Sequence, residues 1–169
     1  MANDPNWRLP EVPSFALTSP DFAEGEMLPK SARGDGGNRS PALEWTGAPE
    51  GTKSFAVTLY DPDAPTGSGF WHWALYNLPG DATGLPAGAG ADTPLPEGVV
   101  TLSNEMGAEE FTGAAPPPGH GEHRYFFTVS ALSSTLALPK GATPAVLGFM
   151  MRDLIIGRAQ LMGVQVTPE

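Results

Sequence analysis

Alternation of apolar and polar positions predicts a chain built mostly from short strands. Residues 54–60 form the clearest one, because Phe55, Val57 and Leu59 alternate with smaller or polar neighbours. Residues 70–78 are apolar at nearly every position, as expected for a strand covered on both faces. Three further strands are predicted at residues 15–19, 99–102 and 124–132. The pattern therefore indicates a mainly antiparallel β domain.

The apolar period changes near the C-terminus. Thr143 can cap a helix, and Pro144 suits the first helical position, where a missing N–H costs nothing. Apolar residues then recur at spacings of three and four, namely Val146, Leu147, Met150, Met151, Leu154 and Ile155. This predicts one substantial C-terminal helix, ended or interrupted by Gly163, and then an edge strand at residues 164–166.

Loops account for much of the remaining sequence. The 169 residues include 21 Gly and 19 Pro, close to a quarter of the chain, which argues against a helical bundle. Residues 30–41 and 80–98 are rich in turn-forming residues, and neither stretch has the composition of an interdomain linker. We therefore expect a polar lead-in at residues 1–14 and a single domain at residues 15–169.

Charge and composition exclude several classes of function. Nineteen acidic residues against nine basic ones give a net charge of −10, so neither nucleic acid nor an anionic membrane surface is an expected partner. The absence of cysteine excludes disulfides and thiolate metal sites. Neither a signal-peptide pattern nor a membrane-spanning apolar run is present, so we expect a cytoplasmic protein that needs no cofactor.

The histidines provide the candidate chemistry. His72 follows Asp61 and Asp63 of an Asp-Pro-Asp-Ala-Pro turn, and His123 follows a Pro-Pro-Pro-Gly turn and precedes Tyr125. Prolines hold a turn in place, and alternation along a strand puts His123 and Tyr125 on one face. If the two strands end at one rim, these five side chains line a small polar pocket. The alternative is purely structural, with the aspartates closing turns and the histidines satisfied in the core.

Two blocks of sequence resemble the phosphatidylethanolamine-binding (Raf kinase inhibitor-like) proteins, in their compact bacterial branch. The first block is Asp-Pro-Asp-Ala-Pro at 61–65 with Phe-Trp-His-Trp at 70–73 and Tyr-Asn-Leu-Pro at 76–79. The second is Pro-Pro-Pro-Gly-His-Gly-Glu-His-Arg-Tyr at 116–125. The resemblance implies an antiparallel β-sandwich with a C-terminal helix and short peripheral helices, and an anion pocket at one end of the sandwich. By motif position, the pocket residues are Asp61, Asp63, His72, Pro116, Pro117, His123 and Tyr125.

The resemblance also implies partners. Members of the family bind phosphate-like anions and phosphorylated head groups, some restrain kinases or proteases, and compact relatives are often homodimers. Two departures from the family pattern bear on the pocket. Ala114-Ala115 stands where relatives often carry Gly-Pro or a lone Gly, so we expect a narrower rim, and the animal members' C-terminal extension is not apparent.

We therefore predict a non-enzymatic binding or regulatory protein. In this hypothesis the carboxylates keep His72 and His123 oriented and partly protonated, and imidazole, Tyr125 hydroxyl and backbone N–H groups bind phosphate oxygens. A free aspartate would take the ammonium of a phosphoethanolamine-like ligand.

Two alternatives stay open. The Asp, His and Tyr cluster could serve a hydrolase, although no Gly-x-Ser-x-Gly nucleophile motif occurs. His120 and His123, three residues apart, could instead bind a metal with Asp61, Asp63 and His72. If His123 faces inward, however, we expect His120 to point to solvent.

Overall fold

The computed structural model describes residues 4–169 and contains two antiparallel sheets. A five-stranded sheet has the order β6-β4-β3-β7-β8, and a three-stranded sheet has the order β1-β2-β5. The strands are β1 Ala16–Thr18, β2 Leu43–Thr46, β3 Ser54–Asp61, β4 Phe70–Pro79, β5 Gly84–Leu85, β6 Val100–Thr101, β7 His123–Leu132 and β8 Ile155–Gln165. One helix, α1, spans Pro144–Met151, and a 3₁₀ turn covers Lys30–Ala32. The predicted mainly β sandwich with a C-terminal helix is confirmed.

The main core lies between the sheets. Alternate residues of β3 point inward, and Trp45 of β2 meets Phe55 of β3 with ring centroids 5.4 Å apart. Large side chains buried in this core include Leu43, Leu59, Trp73, Leu75, Phe127 and Val129. Each large apolar side chain buried in this way contributes roughly 1.5–3 kcal/mol. The burial of these inward-facing apolar side chains therefore fixes the register of the five-stranded sheet.

Helix α1 covers part of the outer face of the five-stranded sheet. Thr143 caps it by accepting a hydrogen bond from the Val146 N–H at 3.3 Å, and Pro144 occupies its first turn, as predicted. Leu147 and Met151 pack with Ala74 of β4 in a second, smaller core. Within the described residues, no helix has the length and apolar character needed to cross a membrane.

The predicted end of the helix is wrong. The helix stops at Met151, and residues 155–165 form β8, which pairs with β7 along its whole length. The apolar spacing of three and four residues extends to Ile155 only by coincidence. Ile155 begins β8, in which buried and less buried residues alternate over much of the strand. Gly163 is not a helix stop but a strand residue opposite Tyr125, where a Cβ would collide with Leu28. The predicted edge strand exists but begins nine residues earlier than 164.

The loop predictions need smaller corrections. Leu43–Thr46 forms a strand that the alternation analysis did not assign, and the stretch at 80–98 contains the short β5. The strand predicted at 99–102 is only two residues long, Val100–Thr101. The predicted loop at 30–41 begins with the 3₁₀ turn. The outer edge of β8 is paired with the chain around Ser14 and Met27, which leaves no long open edge there.

Strand ends bring the predicted motifs together. β3 ends at Asp61, which pairs with Phe70 at the start of β4. On the other side of β3, Tyr60 pairs with Phe126 near the start of β7. Because neighbouring strands run in opposite directions, the end of β3 and the starts of β4 and β7 meet at one end of the sheet. Both histidine-bearing segments are therefore adjacent.

Candidate functional site

A buried aspartate–histidine pair anchors this end of the sheet. His123 Nδ1 donates to Asp61 Oδ2 at 2.8 Å, and the two side chains are only 2% and 3% exposed. The other carboxylate oxygen, Oδ1, accepts from the backbone N–H groups of Asp63 at 2.8 Å and Ala64 at 3.0 Å. Asp61 thus closes the turn and orients His123 at the same time, so the structural and functional interpretations of this residue both apply.

His72 is held by the backbone and not by a carboxylate. Its Nδ1 donates to the Thr112 carbonyl at 2.8 Å, which leaves Nε2 as the nitrogen able to meet a ligand. Its ring packs against Phe70 at 4.7 Å and edge-on against Tyr125 at 5.3 Å. Burial in this aromatic environment lowers the pKa of His72, because the charged imidazolium loses its hydration. The negative charge of Asp61 raises the pKa of His72, as hypothesised, but burial outweighs this effect.

Tyr125 lies on β7 and packs beside His72. Burial raises the pKa of its hydroxyl above the usual value of phenols, and the charge of Asp61 and a hydrogen bond to it act in the same direction. The hydroxyl therefore stays protonated at neutral pH and donates to the carboxylate of Asp61. The side chain itself is buried.

Asp63 faces a different partner from the one predicted. Its carboxylate receives a forked pair of bonds from Arg124, Nε to Oδ2 and Nη2 to Oδ1, both at 2.8 Å. The Arg124 backbone N–H also donates to Oδ2 at 3.0 Å. These bonds hold the pKa of Asp63 below its ordinary value. Asp63 orients neither imidazole, because it ties the turn at 62–65 to the start of β7.

A cavity of about 330 Å³ opens beside these residues, and we call it the His72 cavity. Asp61, His72, Pro117, His123 and Tyr125 line it, while Asp63 and Pro116 do not. Its other walls come from Gly34, Ala64, Pro65, Thr66, Phe70, Met106, Thr112, Gly113 and Ala115. A concave, mostly apolar site with a few convergent polar groups is the usual form of a small-ligand site.

Two asparagines that the sequence analysis did not predict as site residues hold the walls of the cavity. Asn104 is buried and donates to the carbonyl of His72 at 3.1 Å and to Thr112 Oγ1 at 2.7 Å. Asn38 accepts from the Gly113 N–H at 2.6 Å. Each Asn stands in a turn-rich stretch, and its hydrogen-bond partners became visible only in three dimensions.

Ala115 lines the cavity, and Ala114 is buried behind it. Ala114 exchanges backbone hydrogen bonds with the neighbouring segment, donating to Ala32 O at 3.0 Å and accepting from Gly34 N at 2.9 Å. This pairing fixes one wall of the His72 cavity. The expected narrowing of the rim by the two alanines stays a prediction.

His120 is exposed, as expected, but it does not simply point to solvent. Its Nδ1 lies 2.7 Å from Nε2 of His123, within hydrogen-bond distance. Across residues 4–169, no group of three or more His, Cys, Asp or Glu side chains is arranged to hold a metal ion. The two imidazoles therefore form a hydrogen-bonded pair in this structure.

Fold and site define a β-sandwich with a small cavity at one end of its larger sheet. Residues 18–166 match the family model described as phosphatidylethanolamine-binding protein. The chain belongs to the phosphatidylethanolamine-binding protein family, which confirms the resemblance found in the sequence.

The similar proteins include bacterial relatives. UPF0098 protein YbcL from Escherichia coli (strain K12) is 43% identical over 162 residues, covering 91% of this chain and 88% of that protein. The crystal structure of E. coli YbcL superposes with a TM-score of 0.86, covering 90% of this chain and 98% of that chain. The homolog CT736 from Chlamydia trachomatis is 31% identical, with a TM-score of 0.79 and coverage of 90% and 97%. A carboxypeptidase Y inhibitor, solved with its cognate proteinase, shares the fold at 22% identity, a TM-score of 0.57 and coverage of 92% and 84%.

Proposed function

We propose that the His72 cavity binds a small oxyanion, such as phosphate or the phosphate of a phosphorylated head group. The observation that carries this proposal is that His72 and the buried Asp61–His123 pair line the same cavity. An imidazole nitrogen and a phenol hydroxyl converging in an apolar cavity are suitable partners for phosphate oxygens. The imidazole nitrogen is that of His72, because both nitrogens of His123 are engaged, by Asp61 and by His120.

The carboxylate of Asp61 does not prevent anion binding in this proposal. Both of its oxygens already accept hydrogen bonds, from two backbone N–H groups and from His123 Nδ1. An anionic ligand would therefore meet a carboxylate whose charge is offset by these donors. His72 Nε2 is the first group that we assign to the ligand oxygens. The Tyr125 hydroxyl is the second, once its hydrogen turns from Asp61 to the ligand.

Binding of the anion should place one proton between His72 Nε2 and a ligand oxygen. Burial keeps the imidazole neutral, and a phosphate placed against Nε2 adds a negative charge that favours the imidazolium form. A monoprotonated phosphate could equally supply the shared proton. In both cases the complex holds one proton between His72 and the ligand.

We infer that the site binds and does not catalyse. The hydroxyls of Thr66 and Thr112 on the cavity wall are both engaged, in bonds of 2.6 Å to Gly69 O and 2.7 Å from Asn104 Nδ2. The raised pKa of Tyr125 makes its phenolate inaccessible at neutral pH. A screen with phosphate and carboxyl esters tests this inference, and turnover that is lost in His123→Ala would overturn it.

Titration calorimetry with O-phosphoethanolamine tests the binding proposal. We expect wild type and the control Glu44→Gln, an exposed carboxylate on β2, to bind with equal affinity. His72→Ala should bind at least about tenfold more weakly, because a hydrogen bond to a charged group is lost. Equal affinity for wild type and His72→Ala would contradict the assignment of His72. An absence of binding to wild type would contradict the proposed function.

Protein partners are a separate part of the proposal. The carboxypeptidase Y inhibitor shares only the fold with this chain, so a kinase or protease partner here is a hypothesis to be tested by direct inhibition assays. We also propose a homodimer, for which light scattering after size-exclusion chromatography is the test. A monomer at micromolar concentration would contradict it.

A further inference from the structure

A second pocket lies on the opposite side of the turn that follows β3. It has a volume of about 440 Å³, and we call it the aromatic pocket because Trp7, Tyr60 and Trp71 line it. Asp4 also lines it, and the turn at residues 66–69 forms one wall. It shares only Thr66 with the His72 cavity and shares none of the polar residues assigned to the oxyanion.

The aromatic walls are built into the sheet. Tyr60 and Trp71 are direct cross-strand partners on β3 and β4, with ring centroids 4.4 Å apart. The Tyr60 hydroxyl donates to the Ser68 carbonyl at 2.8 Å, which fixes the ring against the turn. Gly69 has φ +73°, and a Cβ there would overlap the Tyr60 ring. The turn therefore needs glycine to approach the ring this closely.

Trp7 supplies the third aromatic surface from the N-terminal segment. Its side chain is 69% exposed, which is unusual for the largest apolar side chain. The segment is held in a turn, because Asp4 Oδ1 accepts from the Asn6 N–H at 2.8 Å. One cation already uses this ring, since the Arg8 guanidinium carbon lies 4.2 Å from its centroid.

The charges around the pocket favour a cation. Asp4 lines it, and Glu105 is adjacent through its N–H bond to the Trp71 carbonyl at 3.2 Å. Burial and the negative charges of Asp61 and Glu105 raise the pKa of Tyr60. The basic groups nearby are Arg8, which lies on the Trp7 ring, Arg124, which is bound to Asp63, and Arg158, which is half-buried in β8. A ligand cation therefore competes with Arg8 for the Trp7 ring. The whole chain carries a charge of −10.

We propose that the aromatic pocket is a second binding site, for a quaternary ammonium group. Several aromatic faces beside a carboxylate are the arrangement that recognises alkylated ammonium cations, because the ring faces carry negative electrostatic potential. A large, weakly hydrated cation loses less hydration on entry than a primary ammonium ion does. The ligand class is therefore a choline-like cation bound independently of the oxyanion in the His72 cavity.

Titration with choline chloride, observed by ¹H–¹⁵N NMR, tests this proposal. The four tryptophans provide an internal comparison, since Trp7 and Trp71 line the pocket while Trp45 and Trp73 are buried in the core. We expect the indole signals of the first two to shift in the millimolar range and those of the other two to stay. Dimethylbutanol, the uncharged carbon analogue of choline, should bind at least about fivefold more weakly.

Variants test the assignment to particular rings. Trp7→Leu lies on an exposed segment and should weaken choline binding about five- to tenfold without affecting folding. Phe149→Leu is the matched control, because Phe149 is also exposed and also has an arginine stacked on its ring, 4.1 Å away. It should leave choline affinity unchanged, and so should His72→Ala.

Three results would overturn the proposal. These are equal affinity for choline and dimethylbutanol, unchanged choline affinity in Trp7→Leu, and Trp7 shifts that follow protein concentration instead of choline. The last result would assign the exposed ring to contacts between copies of the chain. Each of these results leaves oxyanion binding at His72 untouched, so the two proposals fail separately.

Discussion

His120 Nδ1 lies 2.7 Å from Nε2 of His123, whose Nδ1 donates to the buried carboxylate of Asp61. The three side chains form a continuous hydrogen-bonded chain from the core to the surface. A neutral imidazole has one donor and one acceptor nitrogen, so a neutral His123 that donates to Asp61 accepts from His120.

Substitutions of His120 and His123 should differ sharply in their effect on the free energy of unfolding. His123→Ala removes a buried partner of Asp61 and should lower the free energy of unfolding by about 3 kcal/mol or more. His120→Ala removes an exposed ring and should cost about 0.5 kcal/mol. Urea unfolding at neutral pH measures both. Equal losses would mean that the Asp61–His123 pair contributes no more than a surface contact.

Replacing the two aspartates of the turn should also have different effects on stability. Asp61→Asn presents an amide to a site that offers four donors, two backbone N–H groups, His123 Nδ1 and the Tyr125 hydroxyl, so we expect a loss of about 2–3 kcal/mol. Asp63→Asn weakens a partly exposed pair with Arg124 and should cost about 1 kcal/mol. Denaturant titrations of the two variants under identical conditions provide the comparison. A larger loss for Asp63→Asn would contradict the roles assigned to the two carboxylates.

Stability should depend on pH through His72. Its pKa is lowered in the folded protein, so the unfolded chain binds the proton more readily. The contribution of neutral His72 is therefore fully present above its ordinary pKa of about 6.5 and is lost as the pH falls below that value towards the lowered pKa. The melting temperature of wild type should fall between about pH 7.5 and pH 5.5. In His72→Asn this part of the slope should disappear, and an unchanged slope would contradict the assignment.

Gly113 should be essential for the wall of the His72 cavity. A Cβ at this position would lie 2.6 Å from the Arg33 carbonyl carbon and from the Gly34 nitrogen, and backbone atoms cannot move aside cheaply. We expect Gly113→Ala to cost about 2 kcal/mol or more. Gly67→Ala is the control, since its Cβ would meet nothing within 4 Å. Comparable melting temperatures for the two variants would show that the wall is not tightly packed.

Local signals in the sequence were sufficient for much of the fold. The apolar pattern of β3 and the Thr143–Pro144 cap each act within a few residues, and both the strand and the cap are found as predicted. The end of the helix could not be predicted in the same way. Leu154 and Ile155 continue a helical spacing, yet pairing of β8 with β7 decides the conformation there, and that pairing is not local.

In the candidate site, too, some features follow from local sequence motifs and others depend on contacts between distant residues. Asp61, His72, His123 and Tyr125 were predicted from two motifs, and the register of β3 with its neighbours brings those motifs to one end of the sheet. The different role of Asp63 depends on Arg124, whose side chain lies on the opposite face of β7 from that of His123. The support from Asn104 depends on contacts across 32 residues of sequence, which no local pattern reveals.

A crystal structure of the protein grown in cacodylate tests the central claim most directly, because arsenic marks the oxyanion by its anomalous scattering. We predict an arsenic peak inside the His72 cavity, with oxygens within hydrogen-bond distance of His72 Nε2 and the Tyr125 hydroxyl, and no peak there in His72→Ala. An empty cavity in wild type at saturating cacodylate, or a peak only elsewhere on the surface, would contradict the account.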